Sequence, residues 1–346
     1  MNQELGMKTE KRIKKEPKNL STHNSYFLIH NSNKRRALVV GSVAFDVIFE
    51  IYGKIQDEIL IENGALGRQN LMFVAKEKKH FFGGTGGNIS YGLGKLGIKP
   101  LLFSLAGKDF EGEFKNHLTR AGIDVRVAVK KDAWTATFYG MSDEKTQQIG
   151  VYQPNAYEAI DKISLSETIS KKDLAGVGVA IFSAGTGKSI LRHMRELRDN
   201  LGGKVVIIFD PGQVISVFYD KKLLEQTLKL VDVFIGNEVE CKQLKTILGY
   251  SHAKLLNQGL RAVIQTNGER GSVIYEKNRA TVIKAVKPKK IVETTGAGDA
   301  YRAGLIYGIL KGFDLPSACR IGAYMGAKNV ETVGGQAYNI NIDDIV

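Results

Sequence analysis

Hydrophobic and polar positions alternate with two different periods along this chain. From Ala37 onward, short apolar runs such as "ALVVGSVAFDVIFEI" and "KVVIIFD" are followed by amphipathic segments such as "SILRHMRELRDNL". Short β-rich apolar runs are typical of buried strands, and a period of about 3.6 residues is typical of helices. The pattern therefore predicts repeated β-α-β units, which form an open, mostly parallel sheet covered by helices.

One turn in this pattern carries a candidate chemical site. The stretch "ETTGAGDAYRAGLIYGIL" places Asp299 directly after Gly296-Ala297-Gly298 at the start of a predicted helix. The N–H groups and dipole of a helix N-terminus attract an anion, and glycines let the backbone close around it. Asp299 beside that anion would be a base for a hydroxyl group, as phosphoryl transfer to an alcohol requires. Taken alone, the stretch also fits an Asp that only caps the helix.

A second turn ends like a phosphate-binding P-loop. Residues 182–191 read "FSAGTGKSIL" after the apolar run "GVGVAI", so Gly187-Lys188-Ser189 has the strand-to-helix context of that motif. The complete pattern needs a glycine where this chain has Phe182. Without that glycine the backbone cannot turn its N–H groups onto a phosphate. We therefore interpret this stretch as an ordinary turn between a strand and a helix.

Composition restricts the class of protein. The 346 residues are 43% hydrophobic and 25% charged, which is typical of a globular protein. No apolar run approaches the roughly 20 residues of a membrane span, and the N-terminus lacks the apolar stretch of a signal peptide, so we expect a cytoplasmic protein without a membrane partner. Cys241 and Cys319 lie far apart, which predicts two reduced, apolar side chains.

Part of the net charge of +13 is concentrated at the N-terminus. Residues 1–36 contain nine Lys or Arg against three Glu and show no apolar periodicity. This predicts a basic, disordered tail attached to a domain of residues 37–346. The tail would contact RNA or acidic surfaces without specificity, or serve only as a solubilising segment. The remaining basic excess suits an anionic substrate as well as nucleic acid, and we do not predict a specific nucleic-acid partner.

Five motifs, in their order along the chain, resemble those of the ribokinase-like (PfkB) family of sugar and nucleoside kinases. They are "GSVAFD", "FFGGTGGNISYGLGKLG", "GNEVE", "QTNGERG" and "TTGAGDAYRAGL", and they extend over about residues 37–335. The resemblance implies a three-layer αβα fold with a mostly parallel central sheet and a small β-sheet lid, at about residues 48–82 and 124–142. It also implies that phosphate binds at the turn before Asp299 and not at residues 182–191.

The resemblance further implies a role for each residue that matches a motif. These are Asp299 as catalytic base; Gly296, Ala297 and Gly298 as anion hole; Asp46, Gly84 and Asn88 for the substrate; Thr266, Gly268 and Gly271 for ATP; and Asn237 and Glu240 for Mg²⁺ through water. The carboxylate of Asp46 suits two sugar hydroxyls, and hard oxygen ligands suit Mg²⁺. Simpler interpretations are a solvated loop for Asp46, a helix start for Asn88 and a plain hairpin turn for "TNGERG".

Two features concern the cation and the substrate. Members of the family usually have Asp where this chain has Glu293, and the longer side chain argues against the K⁺ site that the resemblance otherwise implies. The distance from Asp46 to Gly83-Gly84 resembles that of adenosine and nucleoside kinases, as do "IIFDPGQ" and "GDAYRAGL". Aromatic residues of the lid would cover a purine or form the lid's own core; they are Phe81, Phe82, Trp134, Phe138 and Tyr139.

The sequence thus predicts an ATP- and Mg²⁺-dependent kinase of a ribose-type primary hydroxyl, with adenosine or another nucleoside as substrate. The nearest alternative is a sugar kinase of the ribokinase or fructokinase type. A ligand sensor or nucleic-acid-binding protein without catalysis is a third alternative, against which the intact set of site residues argues. The phosphate donor preference and a homodimer are left open by the sequence.

Overall fold

Two separate β-sheets organise the molecule. The computed structural model describes residues 36–59, 61–62, 65–67, 70–144 and 147–345. In chain order, the strands are β1 (Arg36–Val40), β2 (Ala44–Ile51), β3 (Ile61–Glu62), β4 (Ala65–Leu66), β5 (Ala75–Gly83), β6 (Leu101–Gly107), β7 (Asp124–Lys130), β8 (Ala136–Ser142), β9 (Gln148–Gln153), β10 (Val177–Ser183), β11 (Val206–Asp210), β12 (Val233–Asn237), β13 (Ala262–Thr266), β14 (Ser272–Glu276) and β15 (Arg279–Ile283).

The larger sheet is mostly parallel, as predicted. Within the described residues it contains nine strands in the order β15-β14-β13-β12-β11-β10-β1-β6-β7. The strands from β7 to β13 in this order run parallel, and the hairpin β14-β15 adds two antiparallel strands at one edge. Apolar side chains face both sides of the sheet, which explains the continuous apolar runs of its central strands.

Helices cover both faces of this sheet. They are α1 (Thr85–Lys95), α2 (Glu113–Arg120), α3 (Leu165–Thr168), α4 (Lys171–Ala175), α5 (Gly187–Leu201), α6 (Ile215–Phe218), α7 (Lys221–Leu228), α8 (Glu238–Leu248), α9 (His252–Asn257), α10 (Ala297–Leu310) and α11 (Leu315–Asn329). Ala37 and Val39 of β1 belong to the core shared with α1, α2, α10 and α11, whereas Leu38 and Val40 belong to the core shared with α5, α7 and α8. The predicted three-layer αβα fold is confirmed.

The smaller sheet has the strand order β5-β2-β8-β9. Its position corrects the predicted lid segments, because residues 124–130 form β7 and pair with β6 in the large sheet. The alternating stretch "DVRVAVK" fits a half-buried edge strand in either sheet, so its pattern does not distinguish them. The strand β9 lies beyond the predicted end of the lid at residue 142. Residues 60, 63–64 and 68–69 of the first lid segment lie outside the described residues.

The first described residue also corrects a predicted boundary. Arg36 was assigned to the tail, but it begins β1, and its guanidinium forms ion pairs with Asp124 (2.7 Å) and Asp173 (3.2 Å). The rest of the predicted tail, residues 1–35, lies outside the described residues. Within the described part of the chain, no helix is both long and apolar enough to cross a membrane. Cys241 and Cys319 are both buried and free.

The turn that resembles a P-loop connects β10 to α5. Thr186 caps α5 by accepting a hydrogen bond from the N–H of Ser189, and Lys188 is exposed. A Cβ atom on Gly187 would lie 2.5 Å from Leu223 Cδ2 and 2.7 Å from the carbonyl oxygen of Phe218. Helix packing therefore accounts for the glycine in this turn.

Candidate active site

Asp299 lies in the first turn of α10, directly after the glycine turn. Gly296 adopts a left-handed conformation (φ 81°), and a Cβ atom there would lie 2.8 Å from the Cα of Gly335. Both constraints favour glycine at this position. The N–H of Ala297 donates to the carbonyl oxygen of Thr294 at 3.2 Å, which tightens the turn. The result is a helix N-terminus whose backbone approaches a neighbouring loop too closely for any side chain.

The side chain of Asp299 is held by Asn88 of α1. Asn88 Nδ2 donates a hydrogen bond to Asp299 Oδ2 at 2.9 Å. Burial raises the pKa of Asp299 to about 7; Arg302 and the Asn88 hydrogen bond oppose this shift, while Asp210 and Glu240 add to it. A carboxyl group with a pKa near neutrality can accept a proton from a hydroxyl group and release it again.

Asp46 of β2 is the second carboxylate of the site. It is buried, and its pKa is raised to about 7 by burial first, and then by the negative charges of Asp299 and Glu293. A Cβ atom on Gly83 would lie 2.1 Å from Asp46 Oδ2, so the glycine makes room for this carboxylate. The structure therefore brings together Asp46, Asn88 and Asp299, which the sequence predicted as substrate-binding and catalytic residues.

Gly84 is explained by backbone packing. It has φ 81° and immediately precedes α1, and a Cβ atom there would lie 2.6 Å from Ala44 N and from the carbonyl oxygen of Ser42. The glycine lets the start of α1 contact the segment between β1 and β2. Its predicted contact with the substrate stays a prediction.

A buried ion cluster lies beneath Asp299. Arg302, one turn further along α10, forms an ion pair with Asp210 at the end of β11, and its Nη2 lies 2.8 Å from Asp210 Oδ1. Glu240 of α8 is 3.9 Å from the same guanidinium. Two buried carboxylates, those of Asp210 and Glu240, thus lie beside this cation, and the half-buried Asp299 interacts with it electrostatically. Sequence reasoning assigned no role to Arg302 or Asp210, although both stand in quoted motifs.

Asn237 and Glu240 form a capping box at the start of α8. Glu240 N donates to Asn237 Oδ1 at 2.9 Å, and Asn237 N donates to Glu240 Oε2 at 2.7 Å. Burial and the charge of Asp210 raise the pKa of Glu240. Asn237 is paired with Thr266 across the parallel strands β12 and β13. The residues predicted for Mg²⁺ and for ATP are therefore neighbours at the carboxyl edge of the sheet.

The predicted ATP-binding residues lie at and after the end of β13. Thr266 donates to the carbonyl oxygen of Gly236 at 3.4 Å. Gly268 and Gly271 have φ values of 57° and 86°, and Asn267 N donates to the carbonyl oxygen of Gly271 at 2.8 Å. The turn thus closes the hairpin to β14, as the simpler interpretation of "TNGERG" requires, and leaves a nucleotide contact as a prediction.

Sequence reasoning missed the loop after α11. Gln336 is buried, and its Nε2 donates to Asn88 Oδ1 at 3.0 Å, while its Oε1 lies 3.0 Å from Nε2 of His117 in α2. A Cβ atom on Gly335 would lie 2.8 Å from the Asn88 amide. The glycine pair "GG" before Gln336 was the one local signal for this close approach.

A cavity of about 550 Å³ is lined in part by this loop. Its wall includes Phe45, Phe82 and Phe114 together with His117 and Gln336. Phe82 stacks on Phe114, with 4.5 Å between ring centroids. The cavity is therefore adjacent to the far end of the hydrogen bonds that reach Asp299.

The arrangement of large sheet, small sheet and glycine turn is that of the ribokinase fold. The ribokinase of Thermotoga maritima superposes with a TM-score of 0.70 at 20% identity, covering 90% of this chain and 98% of that chain. A carboxylate at a helix N-terminus is compatible with phosphoryl transfer to an alcohol. Residues 35–341 match the pfkB family carbohydrate kinase domain, and the chain belongs to this family. The predicted family, fold and enzyme class are confirmed.

Two relatives are similar over nearly the whole chain. A nucleoside kinase of Methanothermobacter thermautotrophicus is 30% identical over 315 residues, which cover 90% of this chain and 94% of the relative. The nucleoside kinase of Burkholderia thailandensis, solved in complex with inosine, is 28% identical with a TM-score of 0.77, covering 89% of this chain and 95% of that chain. A second structure of that kinase is a complex with ADP-inosine.

Proposed function

We propose that this chain transfers the γ-phosphoryl group of ATP to the 5′-hydroxyl of a nucleoside, with Mg²⁺ at the phosphates. The observation that carries the proposal is the position of Asp299, which is hydrogen-bonded to Asn88 and interacts electrostatically with Asp46. Two neighbouring carboxylates fit a ribose. One, at the helix N-terminus, can accept the proton of the primary hydroxyl, while the other binds the diol. The inosine complex of the Burkholderia kinase supports a nucleoside as acceptor.

Each residue then has one step in the reaction. Asp46 accepts hydrogen bonds from the ribose diol and so aims the 5′-oxygen. As this oxygen bonds to the γ-phosphorus, its proton passes to Asp299, and the bond from phosphorus to the departing ADP oxygen breaks with its electron pair on ADP. The N-terminus of α10, at Gly296, Ala297 and Gly298, faces the negative charge of the transferred group.

The residues around Glu240 fit a divalent cation held through water. Asn237 Oδ1 and Glu240 Oε2 each accept a backbone hydrogen bond in the capping box, which fixes the orientation of both side chains. Burial first, and then the charge of Asp210, raises the pKa of Glu240, and a nearby cation would favour its ionised form. When bound, Mg²⁺ would neutralise phosphate charge, and Asn237 and Glu240 would orient its water ligands.

Glu293 does not fit a monovalent cation site well. Its Oε2 accepts a hydrogen bond from the N–H of Gly334 at 2.9 Å. The carboxylate therefore connects the segment before the glycine turn directly to the loop before Gln336. This direct contact supports activity without K⁺, in line with the expectation from the longer side chain.

One face of the small sheet supports a nucleoside over a free sugar. Phe81 and Phe138 are the residues paired with Asp46 on the two neighbouring strands, so all three side chains lie on the same face. A Cβ atom on Gly150 would lie 2.3 Å from the Phe138 ring, so this glycine makes room for the ring. Aromatic rings beside Asp46, the carboxylate proposed to bind the diol, provide a surface on which a nucleobase can stack.

The other predicted lid aromatics do not share this position. Phe82 packs on Phe114, on the opposite face. Tyr139 is 43% exposed, and Trp134 is 57% exposed with Lys108 Nζ 4.0 Å from its ring centroid. Phe81 and Phe138 are therefore the candidates for contact with the nucleobase, whereas Phe82 belongs to the hydrophobic core.

A coupled ADP-release assay on a panel of nucleosides and free sugars tests the proposal. We expect kcat/KM for adenosine or inosine to exceed that for ribose or fructose. Asp299→Asn, with its strongly reduced kcat, serves as the control for contaminating kinases. A clear preference for ribose or fructose would favour a sugar kinase and would refute a nucleoside as the acceptor.

Phe138→Ala adds a structural test with a matched control. Loss of the ring should raise KM for the nucleoside by about 5- to 150-fold, because one stacked nucleobase contributes roughly 1–3 kcal/mol. Tyr139→Ala removes an aromatic ring from the opposite face of the same strand and should leave KM unchanged. Equal effects of the two substitutions on KM would show that the nucleobase does not stack on Phe138.

A further inference from the structure

Asp299 lies at one end of a chain of three hydrogen bonds through the molecule. Asn88 Nδ2 lies 2.9 Å from Asp299 Oδ2, and Gln336 Nε2 lies 3.0 Å from Asn88 Oδ1. The third contact joins Gln336 Oε1 to His117 Nε2 at 3.0 Å. We call these four residues the amide chain. They come from α10, α1, the loop after α11 and α2.

The chemistry of the groups fixes the direction of every bond in the amide chain. An ionised Asp299 only accepts hydrogen bonds, so the NH₂ group of Asn88 must face it. The carbonyl oxygen of Asn88 then faces Gln336, whose NH₂ group donates to it. The side-chain oxygen of Gln336 then faces His117 and can only accept a hydrogen bond. It therefore requires a proton on Nε2 of His117, which both the Nε2–H tautomer and the charged form of the histidine provide.

Close packing and hydrogen bonding oppose a flip of the Gln336 side-chain amide. Asn88 and Gln336 are 4% and 7% exposed. A Cβ atom on Gly87 would lie 2.9 Å from Gln336 Nε2, and the same nitrogen lies 3.4 Å from the carbonyl oxygen of Gly83. A flipped Gln336 would place its oxygen against two acceptors, Asn88 Oδ1 and Gly83 O, and lose both hydrogen bonds.

We propose that Gln336 is a positioning residue, which holds the NH₂ group of Asn88 on the carboxylate of Asp299. This proposal rests on the role of Asp299 as the base. Without the donor from Gln336, the Asn88 amide can rotate and present its oxygen to Asp299. The carboxylate then loses a hydrogen bond to its charged form and faces a second acceptor, so its ionisation becomes less favourable.

The hydrogen bonds of Gln336 go to Asn88, Gly83 and His117 and not to the charged groups near Asp299. Arg302 on α10 and Asn88 favour the ionised form, whereas Asp210 of β11 and Glu240 of α8 oppose it. Asp46 of β2 faces Asp299 as a like charge, with Glu293 beside it. A neutral substitution of Gln336 therefore isolates the effect of the Asn88 amide.

Gln336→Met is the first test, because it keeps the length of the side chain and adds no charge. We expect the acid limb of the kcat/KM profile to move to higher pH, with activity reduced about ninefold at pH 6 and only about 1.3-fold at pH 8.5. This corresponds to a pKa change of about one unit, within the range of a hydrogen bond to a charged group. Asn339→Met, in the same loop and exposed, should leave the profile unchanged.

Gln336→Glu is nearly isosteric and serves if the Met variant does not fold. A carboxylate at this position accepts from His117 but cannot donate to Asn88, so we expect a larger shift in the same direction. Its matched control is Asn339→Asp, which puts the same charge beside Lys95. Introducing Gln336→Met into an Asn88→Ala background should give no further shift, because the effect passes through Asn88.

A carboxyl titration of Asp299 by ¹³C NMR separates this proposal from the proposed function. A raised pKa in Gln336→Met supports the positioning role even if no nucleoside is phosphorylated. An unchanged Asp299 titration, or an equal loss of activity at every pH, would overturn it even in an active nucleoside kinase.

Discussion

Burial governs the acid–base chemistry of the two carboxylates at this site. Asp46 and Asp299 each have a pKa raised to about 7, first because they are withdrawn from water. The same shift costs folding free energy, because the unfolded chain ionises near the ordinary value of 3.8; the cost grows as the pH rises from there to about 7 and is complete above that pH. A base works best when its pKa lies near the operating pH, so this cost suits Asp299 to its role.

Asp299→Asn tests that role at the level of one atom. The substitution keeps the size of the side chain and leaves Gly296, the N-cap of α10, unchanged, but it removes the proton acceptor. We expect kcat to fall by about 10²–10⁴-fold, the usual contribution of a positioned acid or base. The wild-type kcat/KM should decline as the pH falls through about 7, because the base must be ionised, and the residual activity of the variant should lack this limb.

ATP titration and a melting curve serve as the controls. ATP should still bind, since the backbone of the glycine turn remains. The melting temperature at pH 8 should stay the same or rise, because a carboxylate that is costly to ionise has been removed. A kcat like that of the wild type would show that Asp299 is not the catalytic base.

At the scale of elements, local motifs revealed the turns of the site but not the contacts between them. The glycine turn before α10 was predictable, because glycines at a helix start followed by Asp have a physical meaning within one stretch of sequence. Arg302 was visible in the same motif, yet its partners Asp210 and Glu240 lie on β11 and α8. Only the strand order of the sheet brings these three residues together.

Gln336 shows the same limit more clearly. Its neighbours Asn88 and His117 are 248 and 219 positions away in the sequence. A single amide after two glycines has no periodicity and no motif by which to be recognised. The lid boundary failed for a related reason: β7 alternates as a strand of either sheet would, and pairing with β6 depends on the whole topology.

The turn between β10 and α5 gives a prediction about an element that resembles a nucleotide site. Lys188 is exposed, and the adjacent glycine is explained by packing against α7. Lys188→Ala should therefore change ATP affinity by less than about threefold, since surface substitutions usually stay within about 0.5 kcal/mol. A severe loss of ATP binding in a folded variant would establish this turn as a phosphate site.

Gly187→Ala is the matched substitution in the same turn. Its new methyl group would meet Leu223 and the carbonyl oxygen of Phe218. We expect a lower melting temperature with little change in ATP affinity per folded molecule. The two variants together separate a packing role from a ligand role for this stretch.

At the scale of the whole molecule, the site depends on nearly the full length of the domain. Asp46, Asn88, Asp299 and Gln336 come from both ends of the region that matches the family, residues 35–341. The basic segment before it contains none of the family motifs. Its charge and the chemistry of the kinase are therefore expected to be separable.

Removal of residues 1–35 tests this separation and keeps Arg36 with its ion pairs to Asp124 and Asp173. We expect kcat and KM to stay within about twofold of the full chain, because surface changes away from a site have small effects. Retention on heparin should weaken, and the dependence of nucleic-acid binding on salt should become less steep, because fewer phosphate contacts release fewer counterions.

A full-length variant with the Lys and Arg residues of this segment changed to Gln distinguishes charge from chain length. If charge alone causes the retention, this variant should elute from heparin with the truncated protein and show the same salt slope. Kinase constants should again match the wild type. A large loss of activity in the truncated protein but not in the Gln variant would mean that the segment contributes to the fold or the site through its backbone or apolar side chains.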